Sequence, residues 1–171
     1  MMDLQVLKKY KDKSEFVEDI KKRAFEMEVN SHGCSQVIVQ TFLDVFEEEN
    51  LPLFMAASPF AAGMSLTGNN CGGLIGGLMV LGTVFGRKNV KEGMPGILEG
   101  IRPMRKLVRY FSSQQVGIDC REITGTDLAD PVKSEAFFSG GGLEKCAGVL
   151  ADVAGFVAGI LYDEYENRKN T

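Results

Sequence analysis

The reading turns on one stretch, Gly68-Asn69-Asn70-Cys71-Gly72-Gly73-Leu74-Ile75-Gly76-Gly77-Leu78-Met79-Val80-Leu81-Gly82-Thr83-Val84-Phe85-Gly86. It closes an uncharged run that begins at Leu51. A chain with 25% charged residues leaves 36 consecutive positions uncharged, Leu51 to Gly86, only where most of them are buried. One polar turn, Ser65 to Asn70, interrupts the run, and a cysteine follows it directly. The pattern predicts a central buried helix from Cys71 to about Phe85. Its 16 positions from Cys71 to Gly86 include six glycines and fall short of the about 20 strongly apolar residues of a membrane span. No span is expected here.

The glycines invite a phosphate-loop reading, but no Lys-Ser/Thr pair follows them and no strand precedes them. At i and i+4 they cut a groove into the helix, where a second helix approaches closely. Ala147, Ala151, Ala154, Gly155, Ala158 and Gly159 near the C-terminus offer a matching small surface. The two helices are expected to cross tightly there and to bring Cys71 and Cys146 into one layer.

Outward from this centre the chain reads as helix throughout. Asp12 and Glu15 form a capping-box pattern. The helix that follows carries Phe16, Ile20, Ala24 and Met27 on one stripe and stops near Asn30-Ser31-His32-Gly33. A second helix opens at about Cys34 with Val37, Ile38, Phe42, Val45 and Phe46 on its apolar face. Pro52 suits the first turn of a short third helix reaching about Ala62. After the central helix, Arg87 to Met94 is a polar connection. One kinked helix, or two short ones, then runs to about Ser112. Cys120 to Ile123 is a helical turn, followed by an irregular segment to Ser139 and a glycine hinge, Gly140 to Gly142. The last helix covers about Leu143 to Glu166, with Asp152 its one charge between Cys146 and Tyr162. The expectation is a single all-α domain over residues 1–171, a bundle of about five to seven helices, with residues 1–11 and 167–171 frayed.

Composition narrows the function. The net charge of −4 gives no reason to expect nucleic acid or an anionic membrane as partner. Glycine, 20 of 171 or about 12%, exceeds the usual ~7% without a collagen period or a linker tract. The N-terminus has no signal-peptide core. A cytoplasmic location is expected, so stable structural disulfides are not the first reading of the cysteines.

There are four: Cys34, Cys71, Cys120 and Cys146, spaced by 37, 49 and 26 residues. None forms the close pair of a zinc module. Each follows a turn sequence and begins, or nearly begins, a helical stretch. A thiol at a helix N-terminus faces unpaired N–H groups and the positive end of the dipole. That favours thiolate and metal ligation, and it predicts lowered thiol pKa values. His32, the only histidine, and Arg121 are candidates for tuning Cys34 and Cys120. Asp152 is read as pairing with an Arg or a backbone group, and the Arg102 to Arg109 face as a solvated surface. The competing reading of all four cysteines is inert core packing.

One cysteine, a glycine-rich cysteine motif and two isolated cysteines resemble the redox-active protein family labelled C_GCAxxG_C_C. The similarity covers about residues 15 to 165. Gly33-Cys34-Ser35-Gln36-Val37 is similar to the family's first motif, Cys71 to Gly82 to its glycine-rich centre, Cys120-Arg121-Glu122 to its third motif, and Cys146 to its last. Gly33 stands where Asn is common, Asn70 where the label has Gly, and Gly76 lies one position later than the label's text. The resemblance implies thiol redox chemistry or electron transfer. Two versions stay open. In one, cysteine pairs cycle between dithiol and disulfide, Cys34 with Cys71 and then Cys120 with Cys146. In the other, all four thiolates hold an iron–sulfur cluster. A non-catalytic helical module with inert thiols is the third alternative. The expected partner is a redox protein, and a homodimer through the glycine-rich or apolar helix surface is a further expectation.

Overall fold

The computed structural model describes residues 2–170; the fraying expected of Met1 and Thr171 lies outside the described residues. Eight α-helices make up one all-α domain, with no strand among the described residues: α1 Lys13–Ser31, α2 Cys34–Phe46, α3 Leu51–Ala57, α4 Gly72–Phe85, α5 Gly93–Gln114, α6 Cys120–Thr124, α7 Pro131–Phe137 and α8 Leu143–Lys169. A 3-10 helix, Leu4–Lys9, precedes them and buries Leu4 and Leu7, where a frayed end was expected. The chain stays helical to Lys169 at the other end.

The local signals explain most boundaries. Asp12 caps α1 by accepting from the Glu15 N–H at 2.9 Å, and the Glu15 carboxylate reaches past the cap to the Lys11 N–H at 2.6 Å. Asn50 caps α3 with Pro52 in its first turn. That helix ends at Ala57, short of the expected Ala62, because Pro59 brings no N–H to continue the ladder. Helix α5 runs unbroken through Pro103. Helix α7 corrects the reading of an irregular segment before Ser139. Asp130 accepts from the N–H groups of Val132 and Lys133, and Pro131 occupies the first helical position, where its missing N–H costs nothing. A π-type turn, Phe138–Gly142, joins α7 to α8.

Helix α4 is the axis of the fold, packed by α2, α5 and α8. Its glycines serve two neighbours on two faces. A Cβ on Gly72 or Gly76 would stand 2.6 Å from the Phe60 carbonyl oxygen or 2.7 Å from that of Ser35, so α2 and its flanking turn lie against bare backbone. A Cβ on Gly73 or Gly77 would meet Leu150 at 2.9 Å or Val153 at 3.0 Å. Large α8 side chains thus fill the second groove. Two of the small residues of α8 face elsewhere than expected: Gly155 lies under the Lys21 stem and Val17, and Gly159 under Lys13, so they admit α1. The physical reason is complementarity, since a glycine groove on α4 is filled better by Leu and Val than by a second row of small residues. Taken with its π turn, Pro131–Lys169 is long and apolar enough to cross a membrane, and 56% of its most apolar window is buried inside the fold.

Candidate functional site

The four cysteines come from four separate helix starts. Cys34 is the first residue of α2, Cys71 the N-cap of α4, Cys120 the first residue of α6 and Cys146 the fourth residue of α8. All four line one cavity of about 20 Å³, closed by Ile123, Val149 and Leu150. That is room for about one water molecule, in a lining that offers water few polar partners.

Cys71 and Cys120 are set by backbone pairing. Asn70 and Asp119 form an isolated antiparallel bridge. The Cys71 N–H donates to the Ile118 carbonyl at 2.8 Å, the Cys120 N–H to that of Asn69 at 2.7 Å, and the Arg121 N–H to that of Gly68 at 3.0 Å. The Asn70 side chain donates to the Asp119 carboxylate at 2.9 Å. Residues next to a bridged pair point to the opposite face, so both cysteines point the same way, as diagonal neighbours. Such Cα atoms stand about 7–8 Å apart. A direct bond between these two sulfurs therefore needs backbone movement.

Cys34 follows a corner made by His32, with φ +58°, and Gly33, with φ +99°. Its Sγ lies over Gly72, where a Cβ would stand 2.7 Å from it, beside Cys71 in the chain. The N–H groups of Ser35 and Ala62 point to this sulfur, and those of Gly73 and Leu74 to the sulfur of Cys71. Ala62 belongs to a feature that the sequence did not announce. Residues 62 to 66 all have positive φ, four of them non-glycine. Each such residue costs about 1 kcal/mol or more. Bonds from the Ser65 N–H to the Ala61 carbonyl, the Asn69 N–H to the Gly63 carbonyl and the Thr67 hydroxyl to the same carbonyl hold the turn. A Cβ on Gly63 would stand 2.6 Å from that of Cys120, so the turn packs directly on the site.

The electrostatics reverse the expectation of acidic thiols. Burial pushes Cys34 and Cys146 up to about 12, and Cys71 and Cys120 up to about 11. Mutual repulsion of thiolates adds to this at each of the four, and the N–H groups on Cys34 and Cys71 offset only part of it. A helix start favours thiolate only while water or a cation shares the charge, and this cavity is lined by apolar atoms with room for about one water. Burial therefore works against the thiolate at all four sulfurs.

The tuning candidates stand apart from it. His32 is exposed, with its ring 6.3 Å from that of Phe138, and no hydrogen bond or ion pair joins it to Cys34 among the described residues. Arg121 binds the Asp127 carboxylate at 3.2 Å and the Thr67 carbonyl at 3.4 Å, strapping the Gly68 turn to α6. Asp152 pairs with Lys21 of α1 at 3.9 Å, a lysine where an Arg or a backbone group was expected, because α1 is the helix packed along this face of α8. The residue that the sequence reading passed over is Glu28. It is 5% exposed, four positions beyond Ala24 on the apolar stripe of α1, and its signal was a carboxylate at a core position.

The cluster alternative can be tested on the same geometry. Among the described residues no three Cys, His, Asp or Glu side chains are placed to hold a metal ion. The space between the thiols suits about one water, and an assembly of several irons and sulfides needs more. As placed, the four thiols do not fit an iron–sulfur cluster unless they move apart.

Fold and site together define an all-helical protein with a single four-thiol centre. Residues 32–160 match the family model described as "Putative redox-active protein (C_GCAxxG_C_C)", and the chain belongs to that family. No curated protein and no solved structure matches it. The family supports a redox role in general terms.

Proposed function

We propose that the protein is a thiol–disulfide redox protein whose first pair is Cys34 and Cys71, with Cys120 and Cys146 as the second. The carrying observation is the convergence of four thiols from distant sequence positions on one cavity. The position of the Cys34 sulfur over Gly72 favours the first pairing. The partner class is a protein disulfide. Cys34, only partly buried and supplied with two N–H donors, attacks one partner sulfur as thiolate. A mixed disulfide forms, and the partner's other sulfur leaves as thiolate. Cys71 then attacks Cys34, closing the Cys34–Cys71 bond and releasing the second partner sulfur. Two electrons and two protons pass from this pair to the partner's two thiols, and every bond broken is matched by one formed. The small cavity supports short sulfur-to-sulfur transfer between the pairs.

Anaerobic purification with thiol counting tests this. Four thiols before and two after one equivalent of a disulfide oxidant is the expected result, with Cys34 and Cys71 joined in the peptide map. Iron and sulfide in stoichiometric amounts would replace this reading with a cluster held by the same four sulfurs. Four unreacted thiols after oxidation, with no metal, would leave a helical module with inert cysteines.

A further inference from the structure

Helix α5 carries a stripe of cations on its outer face. Arg102, Arg105, Lys106 and Arg109 stand at i, i+3, i+4 and i+7, and all four are exposed. Among the described residues none of them has an ion pair, a hydrogen bond or a ring contact. Elsewhere the same spacing pairs opposite charges: Asp19 with Arg23 at 2.9 Å, Lys22 with Glu26 at 3.9 Å and Glu164 with Arg168 at 2.7 Å. In the stripe of α5 every three- or four-residue step joins like charges, which weakens a helix. The carboxylates of the neighbouring groove are engaged, Asp152 by Lys21 and Asp163 by Lys13. Glu99, one turn before Arg102, forms no ion pair with it.

The stripe also has a shape and a direction. A second groove, of about 470 Å³, opens at its N-terminal end, lined by Leu98, Glu99, Ile101, Arg102 and Arg105. Leu98 is 54% exposed, so the groove offers apolar surface beside the charges. Gly100 lies against the Phe85 carbonyl and Leu107 against Gly77, so α5 runs antiparallel to α4, and Arg109 marks the end of the stripe nearer to Cys71. The four side chains carry +4 in a chain of net charge −4, so the rest of the molecule carries −8. From Arg102 to Arg109 is about 10 Å along the helix axis, close to one Debye length in physiological salt. An extended polyanion, such as a bilayer or a nucleic acid, meets the surrounding negative charge as well as the stripe. A short acidic segment meets the stripe alone.

We propose that this face of α5 docks an acidic helix of a partner protein. Its carboxylates, at the same three- and four-residue spacing, lie against the four cations, and one large apolar side chain seats in the groove beside Leu98 and Ile101. Three of the four cations are Arg, whose planar fork takes a carboxylate in two parallel bonds. The partner relieves the repulsion within the stripe, and charge complementarity of this kind speeds encounter and selects the partner. The surface lies outside the thiol cavity and does not depend on the disulfide reading.

The probe is a fluorescein-labelled synthetic helical peptide with Glu at i, i+3, i+4 and i+7 and a Leu one turn beyond each end of that acidic row. Fluorescence anisotropy with the full-length protein is expected to show binding that weakens as salt is raised. The double variant Arg102→Gln, Arg105→Gln binds the peptide about tenfold more weakly. The double variant Lys8→Gln, Lys11→Gln removes the same charge from exposed positions outside α5 and stays within about twofold of wild type. All four substitutions are at exposed positions, so the fold is retained. A peptide with Gln in place of every Glu does not bind. Failure of the acidic peptide to bind, equal loss in the two double variants, or equal binding of the Gln peptide overturns the proposal. Vesicles of phosphatidylcholine and phosphatidylserine in equal parts are the second probe. Wild type that floats with the vesicles and leaves the acidic peptide free overturns the protein partner in favour of a membrane.

Discussion

Cys71 and Cys120 enter the thiol centre through paired backbone, Cys34 and Cys146 through joints. The first two flank the Asn70–Asp119 bridge, and their own N–H groups are bonded across it. They are 7% and 8% exposed. Cys34 follows the left-handed corner at His32 and Gly33, Cys146 follows the glycine-rich π turn, and both are only partly buried. The difference divides the four thiols into a floor held by paired backbone and a mouth set at glycine-containing turns. In the pathway proposed above, a partner disulfide would meet Cys34 at the mouth and Cys71 of the floor would resolve the mixed disulfide.

The sharpest way to break that comparison is to label the native protein. Cys34 and Cys146 are expected to react with a neutral thiol reagent about 100-fold faster than Cys71 and Cys120, which need local opening of the bridge. Quantitative peptide mapping over time reads the four rates, and equal rates would erase the distinction between floor and mouth.

Next in size is the pH dependence of stability that the buried Glu28 imposes. Its folded pKa of about 7 lies above the unfolded value of 4.5. Between those values the native state holds a proton that the unfolded chain has lost, so stability falls as pH rises. The full effect, present below pH 4.5 and gone above pH 7, is about 3 kcal/mol. Urea unfolding at pH 4.5, 6 and 8 is expected to show this loss in wild type and a much flatter profile in Glu28→Gln.

Gly72→Val places a side chain against the Phe60 carbonyl and the Cys34 sulfur, neither of which yields easily. A loss of about 3 kcal/mol is expected. Gly73→Ala meets the flexible end of Leu150 at 2.9 Å, with the Cys71 sulfur at an ordinary contact distance of 3.7 Å, and costs about 1 kcal/mol. Chemical denaturation of the two variants separates the faces of α4, and a Gly73 variant as damaged as the Gly72 variant would contradict that assignment.

On the floor, Asp119→Ala removes the bond from Asn70 and the cap of α6, for about 1 kcal/mol. It should raise labelling of Cys71 and Cys120 and leave Cys34 unchanged. Arg121→Ala loses an exposed ion pair with Asp127 and is expected to cost about 0.5 kcal/mol, with unchanged thiol rates.

Much of the fold was legible because its signals are local. Asp12, Pro52 and the turn before Cys34 mark helix starts within a few residues of the observed ones. Asp130-Pro131 carried the same kind of signal for α7 and was passed over between segments rich in polar residues. The partner of the small α8 surface was not legible, since periodicity shows that a face is buried and says nothing of what buries it. Glu28 was hidden for a related reason. It sits between Met27 and Val29 with Glu26 nearby, and only the stripe through Phe16, Ile20 and Ala24 shows which way it points.

By itself the sequence determined an all-helical chain, the place of α4 as its axis, and the position of every cysteine at a helix start, because caps, turns and uncharged runs act over a few residues. Only the tertiary structure decided that the four starts meet at one cavity, because separations of 37, 49 and 26 residues are closed by the Asn70–Asp119 bridge and by helices lying on bare glycine backbone. It also decided the sign of the thiol pKa shifts. A helix start favours thiolate, but desolvation depends on everything packed around the sulfur, and here it is the larger effect.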